Sequence, residues 1–146
     1  MYTIQQVVGE DILLRYQKIK IELEKALDYS SGEWTAAQIV ESAIREPAMF
    51  HIWEVLKDNL PVATGATRVI QYNNFTSLHI MTLSGSDIGE DLSHIIGLFE
   101  EIIKKYDGID ILEYTGRRGF VKHLKEVGWK ERYTTMRKSL KEGLDV

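Results

Sequence analysis

A chain of 146 residues, 44% apolar and 27% charged, is the size of one globular domain and long enough to bury a core, so a single domain over 1–146 is expected. Its formal charge of -4, from 18 basic and 22 acidic residues, gives no overall attraction to nucleic acid or to anionic lipid, and the lack of cysteine rules out disulfides, thiolate nucleophiles and cysteine zinc sites. The N-terminus MYTIQQVVGEDILL lacks the basic, apolar and small-residue order of a secretory signal, and no apolar run nears the ~20 residues of a membrane span, so a soluble cytoplasmic protein is expected.

Tyr2 to Val8 reads as a first strand, punctuated by Gly9-Glu10-Asp11. From about Asp11 to Ala26, the residues Ile12, Tyr16, Ile19, Leu23 and Leu27 recur at helical spacing, which predicts one amphipathic helix. Tyr29 to Glu33 is a loop, and Thr35 caps a second helix through Ile39, Val40 and Ile44 that ends before Pro47. The period then turns extended. Met49 to Leu56 and Val62 to Tyr72 read as strands joined by the turn from Lys57 to Pro61, and Ser77 to Leu83 follows as a third, together an antiparallel meander.

Ser84 to Asp91 is a polar loop leading into a helix from about Glu90 to Tyr106, whose Leu92, Ile95, Ile96, Phe99, Ile102 and Ile103 form a broad apolar stripe. Ile109 to Tyr114 is then a strand reached through a helical crossover, which favours parallel pairing with the strand before it. A closing helix spans about Gly119 to Val127 and is ended by Gly128, and a last strand covers about Lys130 to Leu140. The expected class is α/β (α+β): a central mixed, mostly antiparallel sheet of about six to seven strands flanked by about four helices.

Other features carry less. His51, His79, His94 and His123 fall in different elements without ligand spacing, so no metal site is expected. Trp34, Trp53 and Trp129 read as core or pocket-wall residues. The basic residues from Lys122 to Lys141 are interleaved with Glu126 and Glu131, which speaks against a nucleic-acid surface.

The order of strand, two helices, meander, helix, strand, helix and strand, together with Gly128-Trp129 at the end of the closing helix and Thr134-Thr135-Met136-Arg137-Lys138 after it, resembles the GCN5-related N-acetyltransferase (GNAT) superfamily. The entry Gly116-Arg117-Arg118-Gly119-Phe120 looks most like the small acetyltransferase-like proteins of tailed bacteriophages, which would place the chain in host cytoplasm or a virion. The resemblance implies acetyl-CoA in a splay between the fourth and fifth strands, and a primary amine of a small molecule or protein as acceptor. Its pyrophosphate would lie on the loop from Ser84 to Asp91, held by Leu83, Gly85, Ser86 and Gly89. The family's Arg or Gln before that loop registers on Thr82 or Ser86, and Asp87 with Glu90 has the capping-box arrangement instead.

The resemblance also implies catalytic groups. Its usual general-acid tyrosine registers on Leu124, which leaves that role to water or to another residue such as Tyr114 or Tyr133, and a general base on the central strands points to His79 or Glu113. Arg117 and Arg118 at a helix start oppose its dipole, so they await an anion, a CoA phosphate among the choices, or pair with Asp110, Glu113 or Glu126. The alternative is a catalytically silent protein of this fold that works through a protein partner, and the last strand and its tail leave a homodimer open.

Overall fold

A computed structural model of the chain describes residues 1–30, 32–86 and 88–145. The elements are β1 (Tyr2–Val7), α1 (Glu10–Leu14), α2 (Tyr16–Leu27), α3 (Ala36–Arg45), β2 (Phe50–Lys57), β3 (Leu60–Gln71), β4 (Thr76–Ser84), α4 (Ile88–Lys105), β5 (Ile111–Tyr114), a 3-10 turn (Arg118–Phe120) and α5 (Val121–Glu126). One sheet runs in the order β1-β2-β3-β4-β5, antiparallel throughout except for the parallel β4–β5 pair. That parallel pair follows from the crossover through α4, as the chain order requires.

Local chemistry explains most of the boundaries. Thr35 and Gln38 form a reciprocal capping box at the start of α3. Asp58 and Asn59 both take positive φ, 51° and 67°, the geometry of the tight hairpin that joins β2 to β3. The sheet is apolar on both faces. Trp53, Val55, Leu78, Ile80 and Leu83 pack with Ile95, Ile96 and Phe99 of α4 on one face, and Ile52 and Ala66 pack with Ile19, Leu23, Ile39 and Val40 of α2 and α3 on the other.

Three expectations are corrected. The single helix over Asp11 to Ala26 is two, broken at Arg15 (φ -104°, ψ 12°), whose guanidinium turns to Glu54 of β2 at 2.9 Å. The sheet has five strands among the described residues, not six to seven, and the helix count rises to five. The strand expected over 130–140 joins no ladder, and Tyr133, Met136 and Leu140 stand 84–91% exposed. In an extended chain Met136 and Leu140 would share one face with Lys138 between them while Tyr133 fell on the other, so no continuous apolar face is left to bury. The Asp87 half of the capping box on α4 lies outside the described residues.

Candidate active site

A cross-strand row defines the site. Arg68 of β3 lies opposite His79 of β4, and His79 lies opposite Glu113 of β5. Because Leu78, Ile80, Leu112 and Tyr114 pack into the α4-side core, strand alternation sends His79 and Glu113 to the opposite, α2–α3 face. Tyr72 reaches back from the end of β3 and donates its O–H to Glu113 at 3.0 Å.

The row ends where the strands part. β5 pairs with β4 over Ser77 to Ile80 only, and the last link is the Thr115 N–H donating to the Ile80 carbonyl at 3.4 Å. β4 continues to Ser84 without it. At the same place the β3–β4 register jumps from Thr67 opposite Ile80 to Ala66 opposite Thr82, so Met81 is an extra residue. Such a bulge bends a strand and re-aims its side chains.

His79 is buried and both ring nitrogens are engaged. A guanidinium N–H can only donate, so the Arg68 Nε bond at 3.1 Å makes Nδ1 the acceptor and leaves the proton on Nε2, which donates to Thr115 Oγ1 at 2.9 Å. Burial, helped by the Arg68 charge and opposed by Glu113, lowers its pKa to about 4. The imidazole is therefore neutral at physiological pH, and the lone pair that a general base needs is already committed to Arg68.

This has a measurable consequence for stability. The folded pKa lies below the unfolded value of ~6.5, so the unfolded chain binds more protons between the two, and stability falls as the pH drops from about 7 to 4. The loss attributable to His79 is at most about 3.5 kcal/mol. His51, also held below its ordinary value by burial, adds to the same window. Thermal melts between pH 4 and 7 should show a visibly flatter slope for His79→Gln than for the native chain; identical slopes would remove His79 as the cause.

On the other face of β5, Tyr114 is half-buried against Phe120, and its hydroxyl oxygen accepts the Arg117 N–H at 3.1 Å. Gly116 makes this possible, since a Cβ there would sit 2.3 Å from that hydroxyl. Burial raises the phenol pKa, so its own O–H proton stays in place at neutral pH. Leu124 is core.

The two arginines differ. The Arg117 guanidinium is half-buried between the Tyr29 ring at 4.4 Å and the Phe120 ring at 4.8 Å, linking the α2–α3 loop to the start of α5. Arg118 is exposed. Neither forms an ion pair among the described residues, so the pairings weighed for them with Asp110, Glu113 or Glu126 are not made.

The loop into α4 contains two unlike glycines. A Cβ on Gly85 would meet the Val62 carbonyl oxygen at 2.2 Å, so Gly85 lets the chain turn tightly against β3. Gly89, in the first turn of α4, faces open space. Leu83 is buried in the α4-side core, which leaves only its backbone to offer a ligand. Asp91 is buried, accepts the Tyr2 hydroxyl proton and lies 3.9 Å from the Lys57 ammonium, so its charge is met within the protein.

Those facts bear on whether a pyrophosphate-bearing cofactor fits. The first-turn N–H groups of α4 lack intrahelical partners as in any helix, one of the acidic residues beside them is met by Lys57, and a Cβ on Gly89 would meet nothing within 4 Å. Thr82, beyond the last β4–β5 contact, keeps its buried hydroxyl without a partner among the described residues. The donor set fits such a group: the first-turn amides of α4 are the kind of donor a phosphate needs, and Ser86, Gly89 and Arg118 are exposed.

Sequence reasoning named His79, Glu113 and Tyr114 but missed Arg68, Tyr72 and Tyr29. A charged residue inside the apolar β3 pattern was the available signal for Arg68. Tyr72 and Tyr29 meet their partners only through the fold.

No protein-family model matches the chain, and no curated protein does. Solved structures do. A glucosamine-6-phosphate N-acetyltransferase from Arabidopsis thaliana is 14% identical, with 97% of this chain and 99% of that one covered at a TM-score of 0.64. A ribosomal-protein-alanine N-acetyltransferase from Brucella melitensis is 8% identical, covering 96% and 100% at 0.67. A predicted acetyltransferase from Clostridium acetobutylicum, solved with acetyl-CoA, is 13% identical, covering 96% and 97% at 0.63. The chain therefore has the mixed α+β fold of GNAT-type acetyltransferases. No helix among the described residues is long and apolar enough to cross a membrane.

Proposed function

We propose that this chain is an N-acetyltransferase that moves an acetyl group from acetyl-CoA to a primary amine. The observation that carries the reading is the parting of β4 from β5 directly beyond the His79–Glu113 pair, where β4 runs on to Ser84 without a β5 partner. A fold shared with acetyltransferases over nearly the whole chain supports it, although fold alone does not set function.

When bound, acetyl-CoA supplies an activated acetyl thioester. The chain's own residues do the rest. The α4 N-terminus and Arg118 hold negative charge, Glu113 takes a proton from the acceptor ammonium at its carboxylate, and Tyr72 fixes that carboxylate by donating to it. His79 positions Arg68 and Thr115 rather than moving the proton itself. Tyr114 holds a donatable proton at its hydroxyl on the other side of β5, while the Arg117 N–H fixes the oxygen.

Isothermal titration with acetyl-CoA tests the reading. The native chain should bind in the micromolar range, and Arg118→Ala, a change at an exposed side chain, should weaken binding roughly fivefold to tenfold by loss of one charge-assisted contact. Absence of heat, with no thermal shift at millimolar acetyl-CoA, would sink the proposal. It would turn attention to protein contact through the exposed segment 130–140 and the free edge of β5.

A further inference from the structure

Arg68 has no place in the scheme above as a proton carrier, yet its setting is unusual. The guanidinium is half-buried, 5.7 Å over the Trp34 ring, and its Nε is spent on His79. Among the described residues no carboxylate lies within ion-pair distance of it. Glu33, next in sequence to Trp34, is taken by Arg137. Its positive field still reaches His79, where it helps lower the imidazole pKa.

A half-buried cation without a counter-ion is costly unless something anionic completes it. The His79 bond fixes one edge of the guanidinium plane and leaves the terminal N–H pair, the edge that matches a carboxylate or phosphate in bidentate fashion. Arg68, His79 and Glu113 are direct neighbours on three adjacent strands, so Arg68 and Glu113 stand two strand spacings apart, ~10 Å at the backbone. One small molecule can bridge that gap, with its amine at the carboxylate and its anionic end at the guanidinium.

We infer that the acceptor is an anionic amine, a primary amine that also carries a carboxylate or phosphate, oriented by Arg68 with its nitrogen at Glu113. This rests on the acetyltransferase reading and adds the class of acceptor. Trp34 and His79 hold the guanidinium in plane, so the recognition is built before the ligand arrives. The unlike ends of the row, cation and carboxylate, also set the direction in which the molecule lies.

The test compares three amines of similar length: β-alanine, 2-aminoethyl phosphate and propylamine. Release of free CoA thiol from acetyl-CoA is followed in the native chain and in Arg68→Gln and Arg68→Lys. The native chain should prefer one of the anionic amines over propylamine in kcat/KM by roughly tenfold to hundredfold, and which one wins separates a carboxylate from a phosphate. Arg68→Gln should bring that ratio close to one through a rise in KM for the anionic amine, and Arg68→Lys should restore part of it. Equal use of all three amines by the native chain, or a preference untouched in Arg68→Gln, would overturn the inference and leave the acetyltransferase reading standing. No turnover of any amine together with no acetyl-CoA binding would overturn both. Thermal melts of each variant separate loss of recognition from loss of fold.

Discussion

Replacement of Glu113 by Gln is expected to lower kcat/KM for amine acetylation by ~10²–10⁴, the usual worth of one positioned general base. The substitution keeps the shape and the acceptor oxygen for Tyr72, so the row should stay folded and acetyl-CoA affinity should stay within about twofold. Tyr72→Phe should cost less, about tenfold, because it removes only the bond that orients the carboxylate. Steady-state kinetics across pH 6–9 decides the point. If Glu113→Gln retains most of its activity, proton removal falls to water or to another group, and the row loses its assigned chemistry.

The two glycines before and within α4 should respond in opposite ways. Gly85→Ala puts a methyl group 2.2 Å from a backbone carbonyl that no rotamer change can move, so a loss of about 3 kcal/mol is expected, at the upper end for overpacking. Gly89→Ala meets nothing within 4 Å and sits inside a helix, so it should stabilise the fold by roughly 0.5–1 kcal/mol. Yet the added methyl group would stand beside the first-turn amides proposed to hold the phosphates, and acetyl-CoA affinity should fall at least tenfold. Chemical denaturation and titration calorimetry on the same two variants read both effects. A Gly89→Ala protein that is more stable and binds acetyl-CoA as well as the native chain would move the phosphate site elsewhere.

Much of the fold was legible along the chain because its signals are local. The stripe from Leu92 to Ile103, the Thr35 cap and the turn before Pro61 each depend on neighbours within a few residues, and each stands where expected. The closing segment was misread for the opposite reason. Thr134 to Lys138 has strand-forming residues, but a strand exists only if an edge accepts it, and with Tyr133 out of phase and Lys138 between Met136 and Leu140 neither face is apolar enough to bury. The break at Arg15 is likewise tertiary, since it brings the guanidinium to Glu54, 39 residues on.

The sequence by itself determined the order of elements, the parallel entry of β5 and the presence of His79 and Glu113 on neighbouring strands, because periodicity and crossover rules act through short-range sterics. Only the tertiary structure decided what those residues can do. It committed the His79 lone pair to Arg68, aimed the Tyr72 hydroxyl at Glu113, withdrew Asp91 to Tyr2 and Lys57, and left Arg68 without a counter-ion among the described residues. Hydrogen-bond partners and desolvation arise between residues distant in the chain, and they fix protonation and charge where residue identity alone does not.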